Sequence, residues 1–144
     1  MQEALKLAKE AATKGDVPVG ALVVDDSGTI IGVGANLREQ DNDPTAHAEI
    51  VAIRNAANKI DSYRLDDLTM VVTLEPCAMC AGAIMQSRIK KLVFGCYSLK
   101  YGAVGSHWDI LRDGRGTFEV EVVSGVMIEA CCDLLKDFFN DIYE

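Results

Sequence analysis

Thr69-Met70-Val71-Val72-Thr73-Leu74-Glu75-Pro76-Cys77-Ala78-Met79-Cys80 contains the junction on which the fold turns. Thr69 to Leu74 is a short apolar run rich in β-branched residues, the pattern of a buried strand. Pro76 suits the first turn of a helix, and the pattern beyond it predicts a helix from about Cys77 to Ser87. Two cysteines three positions apart on a helix share one face. The free N–H groups and dipole at a helix start favour thiolates, the form of cysteine that binds zinc. A strand running into a helix, with two thiols at the joint, is a unit of an α/β protein with chemistry at one end of its sheet.

Upstream, Leu5, Ala8, Ala11 and Ala12 repeat at helical spacing, and Gly15 is placed to end that helix. Val19 to Val24 reads as a strand, Asp25-Asp26-Ser27-Gly28 as a tight turn, and Thr29 to Ala35 as the returning strand. Arg38 to Asp43 reads as a polar loop. Thr45, after Pro44, is a reasonable cap for a helix whose apolar face is Ile50, Ile53, Ala57 and Ile60. Downstream, Lys91 to Cys96 is a fourth strand and Phe118 to Val123 a fifth. Met127, Ala130, Cys131, Leu134, Leu135, Phe138, Phe139 and Ile142 draw the stripe of a last helix. A hairpin followed by strand–helix alternation implies a mixed sheet with helices on both faces, in one α/β domain over residues 1–144.

The chain has 144 residues, enough for one buried core, and no apolar run approaches the roughly 20 residues that span a bilayer. Met1 to Ala12 is charged and helix-periodic, unlike a signal peptide, so a cytoplasmic location without a membrane is expected. The formal net charge of -8 counts mildly against a polyanion as partner, with Arg88, Lys90 and Lys91 as a small basic exception. Five cysteines without secretory context argue against a disulfide framework. Cys96, Cys131 and Cys132 lie in apolar patterns and read as packing residues, which leaves Cys77 and Cys80 as the distinctive pair.

A third ligand must come from two histidines. His47, in Thr45-Ala46-His47-Ala48-Glu49, stands at the start of the preceding helix, whereas His107 lies in a glycine-rich stretch between the fourth and fifth strands. Parallel neighbouring strands bring helix starts to one end of the sheet, where open α/β folds place their ligands, so His47 is preferred. Three protein ligands leave a position for water, the mark of a catalytic zinc. Glu49 is placed to move the protons, on the condition that His47 lies at the entrance of its helix, because two helical residues differ by roughly 200° of rotation. A Cys-x-x-Cys alone is also a thioredoxin-like redox motif, or half of a structural zinc site with Cys96 or His107 as a further ligand. Taken together, the two segments match His-x-Glu…Pro-Cys-x-x-Cys, an established signature of zinc-dependent nucleobase deaminases.

The sequence resembles the cytidine deaminase-like superfamily, and most closely its bacterial tRNA-specific adenosine deaminases, from about Leu5 to the C-terminal helix. The motifs are Pro18-Val19-Gly20-Ala21, Asp43 to Glu49, Thr73 to Gly82, Ser87-Arg88-Ile89 and Gly102-Ala103-Val104-Gly105-Ser106. The resemblance implies a three-layer α/β/α fold with a five-stranded mixed sheet and a homodimer. It implies one Zn2+ per subunit held by His47, Cys77 and Cys80, and Glu49 as the proton carrier. It further implies hydrolytic conversion of adenosine to inosine in a tRNA anticodon stem-loop, with Asn36 on the base and Lys100 facing phosphate. It points to Glu75 as well, without a chemical role.

Three features depart from the tRNA-branch pattern. Ser98 stands where that branch usually has Asp, Gly116-Thr117-Phe118-Glu119 replaces Phe-Asn-His-Arg, and the first helix starts a few residues late. The alternative is a deaminase of a free base or nucleoside such as guanine or cytosine, since guanine-acting relatives share Asn42 to Glu49. A catalytically dead zinc-binding subunit is a third reading, opposed by the retention of Glu49.

Overall fold

A computed structural model describes residues 1–116 and 119–143. Five strands, β1 (Gly20–Val24), β2 (Ile30–Ala35), β3 (Thr69–Leu74), β4 (Lys91–Cys96) and β5 (Glu121–Val123), form one sheet in the order β2-β1-β3-β4-β5. β1 is antiparallel to both neighbours, whereas β3, β4 and β5 are parallel, which makes the expected mixed sheet. The β1–β2 turn is built by Asp25, whose carboxylate accepts the N–H groups of Ser27 and Thr29 at 2.9 Å, and by Gly28 at φ +85°.

Helices α1 (Gln2–Thr13) and α5 (Ile128–Tyr143) cover one face of the sheet. α3 (Ala48–Ile60) and α4 (Ala78–Gln86) cover the other. The main core, which includes Val23, Met70, Val72, Ile84, Leu92 and Phe94, lies between sheet and helices. Three layers result.

Several expectations are corrected. Arg38–Asp41 is a short helix, α2, not loop. It forms there because the buried Asp16 carboxylate accepts the N–H groups of Glu39 and Gln40, a long-range cap with no local signature. α3 starts three residues after the expected cap Thr45, and His47 is its N-cap. Its buried face is Ala48, Glu49, Ala52 and Ala56, while Ile60 is exposed. The reason is close approach to β2: a Cβ on Gly34 would lie 2.2 Å from the Ala48 carbonyl oxygen, so only small residues fit between helix and strand.

Pro76 precedes the N-cap Cys77 of α4 and is not in its first turn. β5 begins at Glu121, and the earlier part of the strand expected from Phe118 lies partly outside the described residues. Cys96 and Cys132 do not only pack: they form a disulfide that joins the end of β4 to α5. Of the stripe expected on α5, Cys131 alone is fully buried, and Met127, Phe139 and Ile142 are exposed.

Candidate active site

The sheet topology gathers the site. Leu74 at the end of β3 pairs with Cys96 at the end of β4, and Ala35 at the end of β2 pairs with Gly20 at the start of β1. The chain therefore leaves β2, β3 and β4 at one end of the sheet, and two helices begin there. His47 caps α3 with extended backbone (φ −67°, ψ 153°), and Cys77 caps α4 in the same way (φ −74°, ψ 177°). A cap points its side chain off the helix start, so both project into the space between the two helices. Cys80 reaches the same point from the first turn of α4.

His47 Nδ1 lies 3.6 Å from Cys77 Sγ and 3.4 Å from Cys80 Sγ. Among the described residues these three form the group of His, Cys and acidic side chains able to hold a metal ion, with ligand atoms all within 4.8 Å of one another. Zn–S bonds of about 2.3 Å and Zn–N bonds of about 2.0–2.1 Å at a tetrahedral angle require N···S edges of about 3.5–3.6 Å. The donor set and its spacing therefore fit zinc. Cys77 and Cys80 are not joined in a disulfide. His107 packs edge-on against Trp108 at 4.1 Å, and Cys96 is held by Cys132, so neither joins the group as a fourth ligand.

The three side chains and Glu49 influence one another's protonation. The hydrogen bond from the Cys80 thiol, aided by His47, lowers the Cys77 pKa to about 4. Cys80 is pushed up, first by that same bond and then by burial. The hydrogen bond to Cys77 raises His47. Glu49, in the first turn of α3 and 4% exposed, is raised by desolvation.

His47, Cys77 and Glu49 open onto one cavity of about 710 Å³, whose polar and ligating lining also includes Asn36 and Arg38. Val17, Leu74, Tyr97, Tyr101, Leu135 and Phe139 give it apolar walls. Asn36 is buried; its Nδ2 donates to the Val17 carbonyl at 3.2 Å and its Oδ1 accepts the Arg38 N–H at 3.2 Å. One N–H and one lone pair of the amide remain for a ligand. Lys100 is exposed, lies outside the cavity lining, and has its ammonium 5.3 Å from the Tyr101 ring centre. Ser98 lines the cavity. Arg38, Tyr97 and Tyr101 escaped the sequence reading, because nothing local distinguishes a cavity-lining Arg or Tyr from a surface one.

The chain matches the family described as the cytidine and deoxycytidylate deaminase zinc-binding region over residues 1–96, and it belongs to that family of zinc-dependent deaminases. Within it, the chain groups with the tRNA-specific adenosine deaminases. It is 52% identical to the tRNA-specific adenosine deaminase of Haemophilus influenzae over 97% of this chain and 81% of that relative. A solved structure from work on A-to-I editing by tRNA:A34 deaminases at the wobble position of transfer RNA superposes with TM-score 0.90 at 38% identity, covering 94% and 97% of the two chains. The guanine deaminase of Nitrosomonas europaea is more distant, with TM-score 0.83 and 27% identity over 95% of this chain and 81% of that one.

Proposed function

We propose that this chain, acting as one domain over residues 1–144, hydrolyses the exocyclic amino group of adenosine to give inosine at the wobble position of tRNA. The observation that carries the reading is one cavity in which His47, Cys77, Glu49 and Asn36 meet, in a chain so similar to tRNA-specific adenosine deaminases. His47, Cys77 and Cys80 hold the zinc. When bound, it supplies Lewis acidity that makes water a nucleophile near neutral pH.

The remaining steps belong to the protein. Asn36 uses its remaining amide capacity on the purine edge and sets the base in register. Glu49 takes the proton of the attacking water and delivers it to the ring nitrogen as the C–O bond forms. It then relays the second proton to the departing nitrogen, the C–N bond breaks, and ammonia leaves. Burial of Glu49 shields this transfer from bulk water. Lys100, at the exposed rim beside Tyr101, takes a phosphate of the flanking strand. The resemblance supports a cytoplasmic homodimer as the working form, and mass measurement in solution at twice 15.6 kDa is its check.

The specific observation favouring a free-base substrate is Asn42 to Glu49, the segment shared with guanine-acting relatives, together with the guanine deaminase likeness. Ammonia release separates the two readings. Zinc-loaded protein is offered an adenosine-bearing anticodon stem-loop or free adenine, guanine, cytosine and their nucleosides. Turnover of the stem-loop alone is expected. Turnover of a free base without the stem-loop would keep the zinc chemistry and overturn the tRNA assignment.

A further inference from the structure

Glu75 is a buried carboxylate that the proton chemistry does not use. It is 2% exposed and stands between Leu74, the last residue of β3, and Pro76-Cys77. Its partners all come from one segment. The Ser98 N–H donates to Oε1 at 3.2 Å, and the N–H groups of Val104 and Ser106 donate to Oε2 at 3.0 and 3.1 Å. The Ser106 hydroxyl donates to Oε1 as well. Backbone pairing supplements this: Cys77 bridges Gly102, and the Ala103 N–H donates to the Pro76 carbonyl at 2.8 Å. Gly102 is required at this contact, because a Cβ there would stand 2.3 Å from the carboxylate carbon and one of its oxygens.

The segment so held is a wall of the cavity. Tyr97, Ser98 and Tyr101 line it, and the segment extends outward through the exposed Leu99. The motif Gly102-Ala103-Val104-Gly105-Ser106 thus has a physical purpose: it is the receiving side of one carboxylate.

We propose that Glu75 is a positioning residue, whose buried carboxylate holds the N–H groups of Ser98, Val104 and Ser106 and so fixes the 97–106 segment as the substrate-binding wall. This rests on the reading of the cavity as the substrate site. Charge-assisted bonds to backbone N–H groups are strong, and a wall without them samples other conformations. Substrate must then bind a wall that is correct only part of the time, which weakens binding by that fraction.

Glu75→Gln tests this, since it keeps the volume and turns one acceptor into a donor facing donors. Trp108, the single tryptophan, reports on the segment because its N–H donates to the Gly102 carbonyl at 3.2 Å and its own carbonyl accepts from Gly105 at 2.8 Å. The variant is expected to retain one zinc per chain and to show increased acrylamide quenching of Trp108. KM for the stem-loop is expected to rise about tenfold or more with kcat within about threefold. Ser106→Ala, which removes one of the bonds, moves quenching and KM the same way by less. Unchanged quenching with unchanged KM overturns the proposal, and so does a fall in kcat alone or a loss of zinc. Should Glu75→Gln not fold, Ser106→Ala decides by the same two readouts. Quenching needs no substrate, so the anchor is tested even where failure of the stem-loop to react would refute the function assigned above.

Discussion

At Asn36 a buried amide has spent half its hydrogen-bonding capacity on its own backbone surroundings and keeps the rest at the cavity. Asn36→Ala is expected to lower kcat/KM on the stem-loop about tenfold to a hundredfold with zinc retained, as read by steady-state kinetics and metal analysis. Cys80→Ala is expected to lose zinc and with it turnover, because two donors cannot replace three; atomic absorption after dialysis measures it. The metal group was legible from sequence because ligation demands particular atoms at short, fixed spacing, and the chain has few histidines and cysteines to choose from. The roles of Asp16 and Glu75 were not. Their work lies in contacts over 23 residues or more, where spacing carries no message.

At the scale of elements, α3 is placed by contact with bare backbone. Gly32 and Gly34 of β2 face Ala56, Ala52 and Ala48, and a Cβ on Gly34 would lie 2.6 Å from the Ala52 nitrogen as well as against the Ala48 oxygen. The first turn of α3 carries Glu49, and its cap is His47, so the depth of this packing sets both relative to α4. Gly34→Ala is expected to cost about 1–3 kcal/mol, lowering the melting temperature by roughly 3–10 °C, and to reduce turnover because the first turn is displaced. Thermal unfolding followed by circular dichroism, with an activity assay, checks both. The strands were readable from composition, and β3 and β4 fall where the apolar runs put them. The orientation of α3 was not readable: isoleucine periodicity suggested one face, while steric fit against glycines selected the alanine face. Size, not hydrophobicity, decided it.

For the whole molecule, the Cys96–Cys132 disulfide closes a 36-residue separation and ties α5, which contributes Leu135 and Phe139 to the cavity, to the end of β4. On chain-entropy grounds it contributes about 3–4 kcal/mol, so reduction or Cys132→Ala is expected to lower the melting temperature by roughly 10 °C. Melting with and without a thiol reductant measures this, and coincident curves would contradict it. The bond was hidden in the sequence because two cysteines in apolar patterns look like any buried pair until topology brings them together. The family, by contrast, was visible in a few residues, since deamination requires a metal, a proton carrier and a fixed geometry between them.

The central claim is that Glu49 moves protons at a zinc it does not hold. The most direct test measures zinc content and stem-loop deamination for the wild-type chain and for Glu49→Ala side by side. One zinc per chain in both, with turnover reduced by about 10²–10⁴ in the variant, is the predicted result. Loss of zinc from the variant, or turnover kept near the wild-type rate, would contradict the account.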